Sequence, residues 1–368
     1  MKSSFYMPTK VIIGENCIEA NSHLLQGMGT KALIVTGRRS AKLNGSERDV
    51  EAALRKEQID YVRFDQIEEN PSLETVEKAR DFGKSAGVDF VIGIGGGSPI
   101  DAAKAIAVML KHTKLTGDTL IGKSLDAVPV VAVPTTAGTG TEVTQYAIVT
   151  DHKAQTKKNI GHTVFPHIAF LDAKYMMDMP SDITIQTAVD ALSHLVESYL
   201  NVRSNPMSEV FVEKGLAYWG ECVDNLLGGF FTYQSRKDLM MASMYGGMAI
   251  AQTGTSLPHG MGYALTYHKG VPHGLANGTL YVEYLRCFKD QAKVQKLHKL
   301  IGVKSHEELE KILTALCFTN IQVTESELKQ YTEEMCANKA KLQNHPEVIG
   351  FEEVYKIYAG SLLLVKDI

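Results

Sequence analysis

Apolar and polar residues alternate on two different scales along this chain, and the change falls near its middle. In the first half short β-branched runs recur: Lys31–Thr36 (KALIVT), Tyr61–Phe64, Phe90–Ile94 and Val130–Val133. Turn residues bound each run, and helical patterns over 45–57, 72–87 and 98–111 lie between them. Strands that alternate with helices build βαβ units, a mainly parallel sheet covered on both faces. Beyond Met179-Pro180 the strand-like runs thin out. Long amphipathic stretches follow over 182–201, 205–227, 234–253, 274–302, 305–318, 324–338 and 349–363. The pattern predicts an α/β domain over residues 1–180 and an all-α domain over 181–368.

Composition narrows the partners more than the fold. The 368 residues suit two domains, and 44% hydrophobic content is enough for a core in each. A net charge of −4 with dispersed basic residues argues against nucleic acid or an anionic membrane as partner. The opening MKSSFYMPTKVIIG has no apolar signal core, and no run approaches the roughly 18 apolar residues of a membrane span. Five cysteines (Cys17, Cys222, Cys287, Cys317, Cys336) are scattered and form no CxxC. Reduced thiols in a cytoplasmic protein are expected.

Two loops carry candidate nucleotide chemistry. The run Val91–Ser98 (VIGIGGGS) leads a buried strand into a glycine loop, and Pro99–Lys104 (PIDAAK) opens a helix. Glycines admit backbone N–H groups close to a pyrophosphate, and a helix N-terminus favours its charge. Gly95, Gly96, Gly97, Ser98 and Asp101 are the candidates there; the spacing is not GxGxxG, and a tight turn without a ligand is the alternative. A second loop, Pro134–Glu142 (PTTAGTGTE), offers the hydroxyls of Thr135, Thr136 and Thr139 to phosphate, ribose or nicotinamide. Both follow strands at their carboxyl ends, where open α/β sheets bind ligands. The strand Lys31–Thr36 ends at Gly37, followed by Arg38, Arg39, Ser40 and Lys42. A carboxylate after such a strand would hydrogen-bond the ribose and repel a 2′-phosphate. Glycine leaves space, and the cations and hydroxyl beside it suit a phosphate. NADP(H) is favoured over NAD(H), with a solvated basic turn as the alternative.

The second half carries metal-ligand chemistry. His259 and His273 lie fourteen residues apart, each inside a Pro-His-Gly triplet. Asp190 and His194 are i and i+4 on an expected helix and project from one face. Three imidazoles and one carboxylate suit a divalent cation, Fe²⁺ or Zn²⁺, with a position left for a substrate oxygen. Gly270 and Pro272 interrupt the helical pattern between the late histidines, so a helix followed by a loop is expected. Nucleotide and metal are expected to share one cleft, the arrangement of a metal-assisted oxidoreductase.

The chain resembles the iron-containing (group III) alcohol dehydrogenases, which include lactaldehyde reductase, 1,3-propanediol dehydrogenase and butanol dehydrogenase. The matching elements are GGGSPIDAAK at 95–104, PTTAGTGTE at 134–142, DALSH at 190–194, the two Pro-His-Gly triplets and the PTKVIIG strand at 8–14. The resemblance implies a dehydroquinate-synthase-like fold and ligation of Fe²⁺ or Zn²⁺ by Asp190, His194, His259 and His273. It also implies cofactor contacts at Asn70, Val149 and Lys157, and assembly as a homodimer or larger homo-oligomer. Gly37 stands where NAD-preferring members carry Asp. One departure concerns the proton route. Many members carry a second histidine, a proposed relay, four residues after the first Pro-His-Gly histidine; this chain has Tyr263 there. Tyr263 is then either a relay or a packing aromatic, and His268 is the other candidate. The implied reaction interconverts a small alcohol and its aldehyde, in a pocket lined by Thr141, Gln145 and residues near His259 and Tyr263. A polyol dehydrogenase of glycerol type, a cyclase of the same fold and a non-catalytic nucleotide sensor are the rival readings.

Overall fold

The apolar runs of the first half lie side by side in one fully parallel sheet in the computed structural model of the protein, which describes residues 4–122, 124–154, 156–317 and 321–365. In chain order the strands are β1 (Lys10–Ile13), β2 (Lys31–Thr36), β3 (Asp60–Phe64), β4 (Phe90–Gly95), β5 (Val130–Pro134), β6 (Ile148–Asp151), β7 (Thr156–Asn159) and β8 (Ile168–Leu171). Across the sheet the order is β1-β8-β5-β4-β2-β3, while β6 and β7 form a separate antiparallel hairpin. The two-residue period of a strand sorts the side chains. On β2, Leu33 and Val35 enter one core with helices Leu73–Ala86 and Gly97–Lys111. Ala32 and Ile34 enter the opposite core with helix Ser46–Lys56. The chain runs from β2 outward to β3, then returns to β4 on the other flank of β2. Such a reversal leaves a crevice beyond the carboxyl ends of β2 and β4, where sheets of this kind take ligands.

Three pairings go beyond the four apolar runs, and one of them takes in the 8–14 strand. β1 and β8 are four residues long and complete one side of the sheet. The β6–β7 hairpin includes Thr156-Lys157-Lys158-Asn159, which has no apolar alternation to mark it. In the helical part, β9 (Gln322–Thr324) and β10 (Leu363–Val365) pair in parallel. Three residues are too few to show a period.

The chain divides into two compact units, Tyr6–Met179 and the part from Pro180 onward, to which Ser4 and Phe5 also belong. Two expected long helices of the second unit are broken. The 205–227 stretch becomes Pro206–Gly220 and Val223–Gly228; the 274–302 stretch becomes His273–Arg286 and Gln291–Ile301, restarted by Asp290, whose side chain accepts from the Ala292 amide. Such N-terminal caps satisfy amides the helix leaves unpaired. Phe318, the last residue of the expected 305–318 helix, lies outside the described residues. Among the described residues no helix is long and apolar enough to cross a membrane. All five cysteines are free, and burial pushes the thiols of Cys17, Cys222 and Cys317 up to about 12, so these three are unreactive packing groups.

Candidate functional site

The crevice of the α/β unit gathers most of the expected nucleotide residues. Gly37 follows β2, and Gly95–Ser98 follow β4, its neighbour. Asn70 is held between them in a left-handed conformation (φ 57). Its amide donates to Ser98 Oγ at 3.0 Å, and its carbonyl accepts from Thr150 Oγ1 at 2.8 Å. The three glycines have a packing reason of their own. A Cβ would stand 2.6 Å from Pro99 at Gly95, 3.0 Å from Thr136 at Gly96 and 2.7 Å from Thr139 at Gly97. The glycine loop and the threonine loop therefore interlock, and the Thr135 amide donates to the Gly95 carbonyl at 2.8 Å.

Other expected contacts are placed less directly. Arg38, Arg39 and Ser40 are exposed beyond β2, but Lys42 forms an ion pair with Asp65 at 2.7 Å. The Val149 side chain is buried in the core, so only its backbone is available to a ligand. Lys157 is half-buried on β7. Asp101 is turned inward: Oδ1 accepts from Thr141 Oγ1 at 2.5 Å and Oδ2 from the Ile148 amide at 3.0 Å. Asp101 thus binds its own chain, and the Thr141 hydroxyl donates to it.

In the helical unit, helix Ser181–Tyr199 presents Asp190, His194 and Glu197 at spacings of four and three, along one face. Helix Leu257–Lys269 carries His259 in its first turn, where the neighbouring Pro258 lacks only an N–H that would be unpaired anyway. Gly270 closes that helix at φ 68, and His273 is the first residue of helix His273–Arg286. The expected loop is thus a three-residue connection, because Pro272 fits just before a helix start as readily as it interrupts one. His259 Nε2 lies 3.0 Å from His194 Nε2, while Asp190 Oδ1 lies 3.7 Å from His259 Nε2 and 3.8 Å from His273 Nε2. Atoms that share one cation at about 2.0–2.2 Å are at most about 4.4 Å apart, and the Asp190, His259 and His273 donors, all within 4.8 Å of one another, come together on that scale, with His194 joined to them through its contact with His259.

The donors also have the right chemistry. Asp190 Oδ1 is buried with no hydrogen-bond partner, an expensive state for a carboxylate oxygen unless a cation faces it. Burial opposes ionisation of Asp190, but His194, His273 and His259 around it hold the carboxyl below its usual range. His259 Nδ1 faces Glu197 Oε1 at 2.6 Å, which leaves Nε2 directed at the other donors. Glu197 is fully buried and also accepts from the Ser256 amide at 2.5 Å and from the Tyr281 hydroxyl at 2.6 Å. A carboxylate behind a ligating imidazole fixes its tautomer and raises its basicity. The sequence reading missed Glu197. Its signal was present, since it stands three residues after His194 on the same helical face.

The two proton-relay candidates part company. Tyr263 lies one turn beyond His259, and its ring stacks on His273 with centroids 5.5 Å apart. His268 is nine residues from His259, about 180° around the helix and about 13 Å along it. There it stacks on Tyr331 at 5.2 Å and faces Glu334 at 3.5 Å. Tyr263 is thus the candidate that lies beside a metal donor, and His268 packs against Tyr331.

Comparison with known proteins agrees with this geometry. Residues 8–173 match the description of the iron-containing alcohol dehydrogenase family, and residues 184–362 match that of its C-terminal part. A solved iron-containing alcohol dehydrogenase from Thermotoga maritima is 38% identical, with a TM-score of 0.91, and the match covers 98% of this chain and 99% of that one. An NADPH-dependent butanol dehydrogenase of Clostridium saccharobutylicum is 28% identical over 80% of this chain and 76% of its own length. An NAD-dependent methanol dehydrogenase of Bacillus methanolicus is 29% identical over 80% of this chain and 78% of its own length. A parallel nucleotide-type sheet, a helical unit that brings three histidines around one buried carboxylate, and a match along nearly the whole chain all agree: the protein belongs to the iron-containing alcohol dehydrogenase family and is an oxidoreductase acting on alcohols.

Proposed function

We propose that the protein interconverts a small primary alcohol and its aldehyde, with NADP(H) as the hydride carrier and a divalent cation, Fe²⁺ or Zn²⁺, held by Asp190, His194, His259 and His273. The observation that carries this reading is the buried, unpartnered Asp190 Oδ1 with imidazole nitrogens at 3.7 and 3.8 Å. When bound, the cation supplies Lewis acidity toward the substrate oxygen, and the nicotinamide carries the hydride. The chain's own residues set the stage for both. Asp190 contributes the negative charge of the donor set, and Glu197 holds His259 with Nε2 toward it. Tyr263 is the proposed proton carrier, because its hydroxyl-bearing ring is stacked on His273. Ser98, Asn70 and the interlocked loops shape the bed for the pyrophosphate, with a helix N-terminus beside it.

The choice of NADP(H) rests on this chain's own residues, since the relatives include both NADPH- and NAD-dependent enzymes. Gly37 leaves room for a 2′-phosphate, and the exposed Arg38, Arg39 and Ser40 supply cations and a hydroxyl. Lys42 contributes little while Asp65 holds it. A Cβ at Gly37 would meet only the Ile67 carbonyl, at an ordinary 3.4 Å, so Gly37→Asp fits sterically. That substitution is expected to raise the KM for NADPH at least about tenfold, a cost of about 1.4 kcal/mol from carboxylate–phosphate repulsion, while leaving or improving that for NADH. An unchanged NADPH/NADH ratio would place the phosphate elsewhere.

The function is tested by anaerobic reduction of butanal with NADPH and with NADH, using protein stripped of metal and then given Fe²⁺ or Zn²⁺. Oxidation of NADPH that vanishes on stripping and returns with the ion is the expected result. Activity that survives complete removal of metal would sink the Lewis-acid role. NADPH binding without turnover of any short aldehyde or polyol would make the protein a nucleotide-binding sensor.

A further inference from the structure

Beneath the two nucleotide loops lies a buried cation that the reading above does not use. Lys104, in the GGGSPIDAAK stretch, has no exposed surface. Its Nζ lies within hydrogen-bond distance of four acceptors that share its three N–H groups: the carbonyls of Thr141 (2.7 Å), Thr144 (2.9 Å) and Tyr146 (2.7 Å) and Thr141 Oγ1 (2.7 Å). Asp101, one helical turn earlier on the same face, lies 3.9 Å away. It binds the Thr141 hydroxyl from the other side and reaches the Ile148 amide at the start of β6. Three carbonyls from six consecutive residues thus converge on one ammonium. Such convergence is unfavourable without a cation, because the aligned carbonyl dipoles repel one another in a buried setting. A lysine supplies three donors and a charge at one point, the role an alkali ion plays in a carbonyl cage.

We propose that Lys104 is a positioning residue for the cofactor site, whose ammonium folds the 141–146 segment around itself and so holds the threonine loop against the glycine loop. The inference rests on the reading that these loops receive the dinucleotide. Thr136 and Thr139, which meet Gly96 and Gly97, belong to the segment that leads directly into Thr141, so release of the 141–146 turn loosens the interlock. Two carboxyls face the ammonium: burial lowers Lys104 to about 8, and the charges of Asp101 and Glu142 resist that fall.

The test compares full-length wild type with Lys104→Met, which keeps the stem and removes the ammonium, and with Thr141→Val, which removes the hydroxyl between Lys104 and Asp101. Affinity for NADPH is measured by fluorescence titration, KM and kcat by aldehyde reduction, metal content by elemental analysis, and protection of residues 141–146 by hydrogen exchange. The expected result for Lys104→Met is a rise in NADPH Kd and KM of about tenfold or more from the lost charged hydrogen bonds. Metal content and aldehyde KM should stay at the wild-type level, and exchange should quicken over 141–146 but not over β4 and β5. Wild-type NADPH affinity together with unchanged protection would overturn the proposal. If Lys104→Met does not fold, Thr141→Val decides by the same readouts, with a smaller rise in Kd expected and an unchanged Kd and protection counting against. If the wild type binds neither NADPH nor NADH, the functional reading fails, while the exchange comparison still decides whether Lys104 holds the turn.

Discussion

Glu197→Gln is expected to weaken metal retention by roughly 10- to 100-fold, the usual cost of losing the carboxylate behind a ligating imidazole. Three donors converge on the buried carboxylate: His259 Nδ1 at 2.6 Å, the Tyr281 hydroxyl at 2.6 Å and the Ser256 amide at 2.5 Å. Glutamine has the same shape but one acceptor oxygen and a donor NH₂. In either orientation its NH₂ faces an N–H, and a buried donor goes unpaired at about 1–3 kcal/mol. His259 also loses the charge that fixes its tautomer. Metal content after dialysis against graded chelator is the measurement, and wild-type retention would show that Glu197 is only packing.

The same residue predicts an acid response. Burial would raise the Glu197 pKa, but the facing His259, Lys341 and the hydrogen bonds from His259 and Tyr281 hold it at about 2. A carboxyl depressed in the folded state stabilises fully above its unfolded value, about 4.3, and loses that contribution as pH falls toward the folded one. Metal-free protein should therefore lose stability between about pH 5 and pH 2 in denaturant titrations. Glu197→Gln should start less stable and show a shallower decline over that window.

Gly274→Ala is expected to cost about 1–3 kcal/mol of stability through overpacking and to lower activity by about two orders of magnitude. A Cβ at position 274 would lie 2.0 Å from the Gln186 carbonyl oxygen and 3.1 Å from Asp190 Cβ. The oxygen belongs to helix backbone and cannot swing aside as a side chain would. Helix His273–Arg286 must then retreat from helix Ser181–Tyr199 by about 1 Å, and a site of this kind tolerates about half that. His273 and Asp190 sit on the two separating helices, so the donor set opens. Gly228→Ala is the control, since a Cβ there has nothing within 4 Å. Elemental analysis, thermal unfolding and aldehyde reduction together provide the check. A Gly274→Ala protein with full metal and full rate would mean that the helix contact does not set the site.

Much of the site was legible because its chemistry is local in sequence. Asp190 and His194 share a face through the helical repeat alone, and the glycine and threonine loops each sit inside a single strand-to-helix or strand-to-loop passage. Tyr263 and His268 could have been separated by the same arithmetic, since i+4 returns to the face of His259 and i+9 does not. The elements that escaped were short or polar. β8 has four residues, and the second strand of the hairpin is Thr-Lys-Lys-Asn, so neither length nor alternation stood out.

Periodicity and turn chemistry, which act over a few residues, were enough to divide the chain into a sheet part and a helical part and to nominate the metal donors. What they could not supply was the identity of partners far apart in sequence. Asp101 binds Thr141 and Ile148, 40 and 47 residues away. Lys104 looked like an ordinary helix residue and proved to be the hub of a buried turn. Glu197 meets His259 across 62 residues, and Gly274 matters only because Gln186 lies against it. Each of these depends on which polar groups end up buried together, because a buried charge or carbonyl must find a partner wherever the packing of helices and loops has placed one.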